Sequence, residues 1–219
     1  MEYRYERYGN LSVAWTPDLD GGGRSFGQQT IALVRTLFGK VDRAYEFCAG
    51  PGFIGFSMLA AGLCDSLCLS DINPTAVEAV ERTIALNGLA DRVTIYESDC
   101  LDGIPELEQW DLVVSNPPHF NASRDGVMGL RACDPGWDIH RRFYAHVRRH
   151  LKANGQCLMQ ENYTGSSEAT FTALLERTGL EYAGSLVATD PHMPSRFPNT
   201  FYFFWTRVRP SMSLTCATF

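Results

Sequence analysis

The chain has 219 residues, 45% hydrophobic and 12% aromatic, enough for one domain with a sizeable core. Charged residues make up 20%, which argues against wholesale disorder, and a formal net charge of −6 weighs against attraction to a phosphate backbone. The N-terminus, "MEYRYERYGN", has no apolar signal core, no apolar run reaches bilayer length, and the seven scattered cysteines lack a CxxC pair, so reduced thiols in a cytoplasmic protein are expected, without membrane span or metal site.

In chain order, residues 1–30 read as an N-terminal extension. Within "VAWTPDLDGGGRSFGQQT", Gly21, Gly22 and Gly23 form a hinge ahead of a helix. That suggests a lid over a ligand mouth, with an ordinary linker as the alternative. Trp15 and Phe26 are then candidates for closing over substrate, and Arg24 for binding a substrate carboxylate. Residues 31–210 read as the main domain and residues 211–219 as a loose tail.

Short apolar runs at residues 44–49, 66–72, 93–98, 111–116 and 155–162 read as strands. Helices lie between them. "NPTAVEAVERTIALNG" has Asn73 as N-cap, Pro74 at the first helical position, Gly88 as the stop and an apolar stripe of Val77, Val80 and Ile84. "DIHRRFYAHVRRHLKANG" puts Ile139, Phe143, Val147 and Leu151 on one face, and "SSEATFTALLERTG" reads as a third helix. The alternation predicts an α/β fold: right-handed βαβ units in a mostly parallel, doubly wound sheet. Late runs "LEYAGSLVA" and "TFYFFWTRV", joined by proline-rich "TDPHMPSRFPN", read as an antiparallel edge hairpin.

Two segments carry chemistry. "YEFCAGPGFIGF" holds Gly50, Gly52 and Gly55 in GxGxxG spacing between a strand and a helix. Glycines there let the backbone turn sharply against a ligand, and the helix start presents free N–H groups. Asp71 ends the next strand, about 20 residues on, where a ribose-hydroxyl acceptor is expected. Glu46 sits inside the first strand, where a carboxylate can meet a cationic ligand. Asp99 follows the third strand, where it can accept from an adenine amino group. The second segment is "SNPPHF", at the carboxyl end of a buried strand. Pro117 and Pro118 remove two N–H donors, which leaves the Asn116 side-chain oxygen and the Pro117 carbonyl as fixed acceptors. Two acceptors suit an N–H₂ group whose lone pair must point at an electrophile. His119 or Phe120 can stack on a flat substrate.

In order, "EFCAGPGFIG", "LSDINP", "SDCLD" and "SNPPHF" resemble the motifs of class I S-adenosylmethionine-dependent methyltransferases. The Asn-Pro-Pro-aromatic signature points to the branch that methylates exocyclic or amide nitrogens. The stretch "GWDIHRRFYAHVRRHLKANGQCLMQEN" is similar to the release-factor glutamine methyltransferase group. That group's larger helical N-terminal domain is not expected here, since few residues precede the core. The resemblance implies a single Rossmann-like domain with a seven-stranded, mostly parallel sheet, and S-adenosyl-L-methionine as cofactor. It implies that Glu46, Gly50, Gly52 and Gly55 cradle the methionine part and that Asp71 binds the ribose hydroxyls. It further implies that Ile72 packs on adenine, Asp99 accepts from its amino group, and Asn116 and Pro117 orient the acceptor nitrogen. Two positions depart from the pattern. His119 stands where Tyr or Phe is more frequent, and Pro51 occupies the glycine loop.

The expected function is N-methylation of an amine or amide on a small molecule or protein side chain. The alternatives are a nucleic-acid base methyltransferase (adenine N6 or guanine N2) and a non-catalytic cofactor-binding partner subunit. The best basic cluster, Arg141, Arg142, Arg148 and Arg149, reads more simply as a solvated helix face.

Overall fold

The computed structural model describes residues 2–125, 129, 131–187 and 200–210. The expected proline-rich loop (189–199) and tail (211–219) lie outside them. The chain runs β1 (Arg4–Tyr8), β2 (Leu11–Trp15), α1 (Gln29–Leu37), β3 (Val41–Phe47), α2 (Phe53–Ala60), β4 (Cys64–Asp71) and α3 (Pro74–Asn87). It continues with β5 (Val93–Glu97), β6 (Trp110–Ser115), α4 (Asp138–His146), β7 (Leu151–Asn162), α5 (Glu168–Thr172), β8 (Leu180–Val187) and β9 (Phe201–Val208).

Strands β3 to β9 form one seven-stranded sheet, in the order β5-β4-β3-β6-β7-β9-β8. β3, β4, β5, β6 and β7 pair in parallel, and β9 is antiparallel to both β7 and β8. The C-terminal hairpin therefore closes one edge, as its two apolar runs suggest. Strand order reverses between β3 and β6, which opens a crevice at their carboxyl ends where open α/β sheets bind ligands.

Side chains alternate across the pleat, so each strand feeds two cores. Ala44, Leu67, Leu69, Leu112, Val114 and Leu158 pack with α1, α2 and α3 on one face. Tyr45, Phe47, Cys68, Val113, Cys157 and Met159 pack with Phe143, Tyr144 and Phe171 of α4 and α5 on the other. This parity sends Glu46 toward α2 and Glu161 toward α4. For α3, Asn73 accepts from the Thr75 N–H at 3.0 Å, Pro74 opens the helix and Gly88 ends it at φ 63°, as its caps predict.

Three elements differ from expectation. β1 and β2 form a separate antiparallel hairpin in which Tyr8 pairs with Leu11. It is pinned to α3, whose Thr83 Oγ1 accepts from the Ala14 N–H at 2.9 Å, while Asn87 both accepts from and donates to the Ser12 backbone. α4 is shorter than its apolar stripe: it ends at His146, a 3-10 turn spans Val147–His150, and Leu151 leaves to pair with Trp110. Its buried face is His140, Phe143 and Tyr144, and Val147 follows into the core from the turn. The third predicted helix shrinks to Glu168–Thr172 plus a 3-10 turn, Ala173–Leu175, which drops Leu175 into the core. Among the described residues, no helix is long and apolar enough to cross a membrane.

Candidate active site

The glycine turn, Asp71 and Asn116 emerge at the same edge because their strands are in register: Phe47 pairs with Ser70 on one side and Ser115 on the other. Buried Ser115 ties the strand ends together by donating to the Phe47 carbonyl at 2.6 Å. In the turn, Gly50 and Gly52 sit at φ 52° and 80°. A Cβ on Gly52 would meet Leu69 Cδ2 at 2.7 Å and Phe56 Cδ2 at 2.9 Å. Pro51 fits, because the turn closes instead through the Gly52 N–H, donated to the Ala49 carbonyl at 2.9 Å.

Glu46 and Asp71 hold this turn. Glu46 is buried and accepts from the Gly55 N–H at 2.6 Å and the Ile54 N–H at 3.3 Å, at the start of α2. Burial pushes its carboxyl up to about 8, against the pull of those two N–H groups. A Cβ on Gly55 would meet Glu46 Oε2 at 2.8 Å, so glycine there makes room for the carboxylate. Asp71 accepts from the Gly50 N–H at 2.7 Å and, through its other oxygen, the Asn73 N–H at 2.9 Å. Each oxygen keeps a second lone pair for a ligand hydroxyl. Beside it, Ile72 is 61% exposed, an apolar side chain left open at the mouth. Asp99 is exposed and bonded to Arg142 at 3.0 Å.

Across the crevice, Asn116 Nδ2 donates to the Gly21 carbonyl at 3.3 Å, which fixes the other end of the amide as oxygen. That oxygen, Oδ1, is buried and has no hydrogen-bond partner. An unmet buried acceptor is costly in a finished structure and well placed in a binding site. Pro117, Pro118 and His119 are buried, and Phe120 is partly so. The His119 and Phe120 N–H groups both donate to the Ala132 carbonyl, at 2.8 and 2.9 Å, which holds the turn rigid.

The segment expected as a lid or a linker lies as a strap along this mouth. The Leu19 carbonyl lies 3.4 Å from where a Gly50 Cβ would stand, and Gly21 meets Asn116. Gln160 Nε2 donates to the Phe26 carbonyl at 3.1 Å, and the Phe26 ring stacks on Phe201 at 5.0 Å. Arg24 pairs with Asp20 and Glu6. Trp15 is buried in the core at 6% exposed, edge-on to Phe53, and touches the strap through the Arg24 guanidinium, 4.7 Å over its ring.

Three residues here did not stand out in the sequence: Asp134, His140 and Glu161, all fully buried. His140 Nδ1 lies 2.6 Å from Asp134 Oδ2 and its Nε2 3.0 Å from Glu161 Oε1. Glu161 Oε2 is 3.7 Å from His119 Nδ1. Burial pulls the His140 ring down, but Glu161 and Asp134 outweigh it and hold it up at about 9. Burial pushes both carboxyls up, yet the His140 ring leaves each below its ordinary value. The triple therefore carries one net negative charge at neutral pH. Its signal was a histidine on the apolar face of α4 and an acid inside an apolar strand.

Comparison with known proteins bears on what such a site does. The family model for the methyltransferase small domain matches residues 24–180. A ribosomal protein uL3 glutamine methyltransferase from Bordetella pertussis is 26% identical over 131 residues, covering 55% of this chain and 44% of that protein. The chain thus spans under half the length of that curated relative. Among solved structures, M. jannaschii TYW2 in complex with AdoMet aligns at TM-score 0.63 and 13% identity, covering 94% of this chain and 84% of the other. A ribosomal protein L11 methylase from Lactobacillus delbrueckii subsp. bulgaricus aligns at TM-score 0.60 and 16% identity, covering 86% and 81%. At these identities the two structures establish the fold.

Proposed function

Because the chain belongs to the methyltransferase small domain family, and so to the S-adenosylmethionine-dependent methyltransferases, we propose that it methylates an amine or amide nitrogen held by Asn116 and Pro117. We take a protein side-chain amide as the leading acceptor, in keeping with the uL3 glutamine methyltransferase relative. The observation that carries this reading is Asn116 Oδ1, a buried acceptor without a partner beside the glycine turn.

The surrounding residues fit the cofactor. The positive-φ glycines leave room for close approach, Asp71 keeps lone pairs for ribose hydroxyls, and exposed Ile72 offers an apolar wall to adenine. Glu46, Gly50, Gly52 and Gly55 would hold the methionine part. Asp99 would reach the adenine amino group while bonded to Arg142. S-adenosylmethionine supplies an electrophilic methyl group on a sulfonium. The chain's part is to bind, orient and exclude water. Asn116 and Pro117 accept the two N–H bonds of the acceptor, which turns its lone pair toward the electrophile. A cation that loses its charge in the reaction also favours a site closed to water.

A nucleic-acid base is the weaker alternative. Arg141 and Arg142 of the basic cluster already pair with Asp138, Asp99 and Asp102. Turnover of methyl-labelled cofactor against panels of amines, amides, proteins and RNA tests the reading. Label in an amide or amine is expected; label in RNA alone would overturn it. Asp71→Ala should weaken cofactor binding by about 1.5–3 kcal/mol in calorimetry, since a charged acceptor is removed. Unchanged affinity would remove Asp71 from the site. If the strap closes over bound ligands, protease should cut residues 21–26 more slowly with cofactor and acceptor present, and equal rates would make it a plain linker.

A further inference from the structure

We propose that His119 is the proton acceptor of methyl transfer, with Glu161, His140 and Asp134 as a buried chain of positioning residues that sets its tautomer. The inference rests on the nitrogen-acceptor reading above and adds a chemical role to it. As the nitrogen lone pair forms its bond to the methyl carbon, the carbon–sulfur bond breaks and sulfur keeps that pair. The nitrogen is left with one proton too many. That proton passes to Nε2 of His119 and then to solvent.

The geometry points to this division of labour. His119 Nδ1 and Glu161 Oε2 are both buried, both lack a hydrogen-bond partner and lie 3.7 Å apart. That is too long for a hydrogen bond, and a ring movement of under about one ångström makes one, as happens when catalytic contacts tighten on ligand binding. A carboxylate oxygen only accepts, so the ring proton must sit on Nδ1. Nε2 then carries the lone pair. The rings of Phe120 and Phe201 stand edge-on to the imidazole, at 6.3 and 5.6 Å, and restrict its rotation. Glu161 is held in turn by His140, and His140 by Asp134, which also accepts the Ile139 and His140 backbone N–H groups.

A purely structural role accounts poorly for the arrangement. Removing three ionisable groups from water costs several kcal/mol each unless every lone pair is met, at about the scale at which an apolar core does as well or better. Here one carboxylate oxygen is left unmet, and it lies 3.7 Å from His119 Nδ1. Tyr144 of α4 and Tyr202 of β9 also face Glu161; burial pushes both phenols up, and Glu161 pushes them further, so neither supplies a charge that rivals the chain. The acceptor set beside His119 Nδ1 is therefore Glu161 Oε2.

Nitrogen-detected NMR of the cofactor-bound protein tests this without an acceptor. The neutral His119 ring should carry its proton on Nδ1 and the His140 ring should be doubly protonated at neutral pH. In Glu161→Gln the new amide donates to Nδ1, so the His119 tautomer should flip to Nε2–H. On the acceptor found by labelling, kcat should fall by about 10²–10⁴ with little change in KM, the range for loss of a general base. His119→Gln, at a position nearer the surface, should show the same kcat loss and lack the acidic limb of the pH–rate profile. It serves where Glu161→Gln fails to fold. An Nε2–H ring in the parent protein, or variants with unflipped tautomer and full kcat, would overturn the proposal. Full turnover in Asn116→Ala with the tautomer result intact would instead sink the nitrogen-grip reading and leave the chain standing.

Discussion

Asn116→Ala should retain cofactor affinity near the parent value while turnover falls about a hundredfold or more. Misplacing a reacting atom by about an ångström costs that much, and the substitution removes one of the two acceptors that hold the nitrogen. The strand, both prolines and the Ala132 carbonyl bonds to the next two residues remain. Folding should be unharmed, because the lost oxygen has no partner in the structure. The variant also gives up the Nδ2 bond to Gly21. Proteolysis of the strap serves as control: unchanged cutting assigns the turnover loss to the nitrogen grip. Full turnover on the true acceptor would refute the grip whatever the fold.

Gly52→Ala should destabilise the protein by about 2–6 kcal/mol and lower cofactor affinity with it. Two costs add. A non-glycine residue at φ 80° is strained by about 1–3 kcal/mol, and overpacking a tight core costs about as much again. The new methyl would lie 2.7 Å from Leu69 Cδ2, a fully buried side chain with little room to give. Gly62→Ala separates the two terms. Gly62 has φ 69° but nothing within 4 Å of a Cβ, so only the strain should appear there. Urea unfolding of both variants decides the matter: equal losses would mean that packing around Gly52 is looser than the contacts imply.

Much of this was legible in the chain. The β3–α2 turn announces itself by three glycines after an apolar strand, and the cap residues of α3 mark both its ends. The hairpin turn of β1 and β2 was there to be read too, as Gly9-Asn10 between Tyr8 and Leu11, a two-residue loop of the kind hairpins favour. It was hidden because β1, "RYERY", is largely exposed and shows no apolar alternation. The end of α4 departs from its sequence pattern for the opposite reason. Leu151 continues the helical stripe well, and only its pairing with Trp110 pulls it into β7.

Local pattern alone determined the α/β alternation, the glycine turn, the acid that ends β4 and the amide-bearing turn after β6. Each is set by backbone sterics or by side-chain period within a few residues, which neighbours in sequence suffice to express. Tertiary structure decided what those residues meet. Trp15 entered the core, Asn116 found Gly21 from 95 positions away, and Glu161 met His140 and His119 from two other segments. Pleat parity turned Glu161 toward α4, and sheet register brought it to the same edge as His119. A single acid or histidine in a run of apolar residues does not say which partner will offset its burial. That follows only once the strands are side by side, because charge pairing in a low-dielectric interior depends on distances of a few ångströms, which no spacing along the chain encodes.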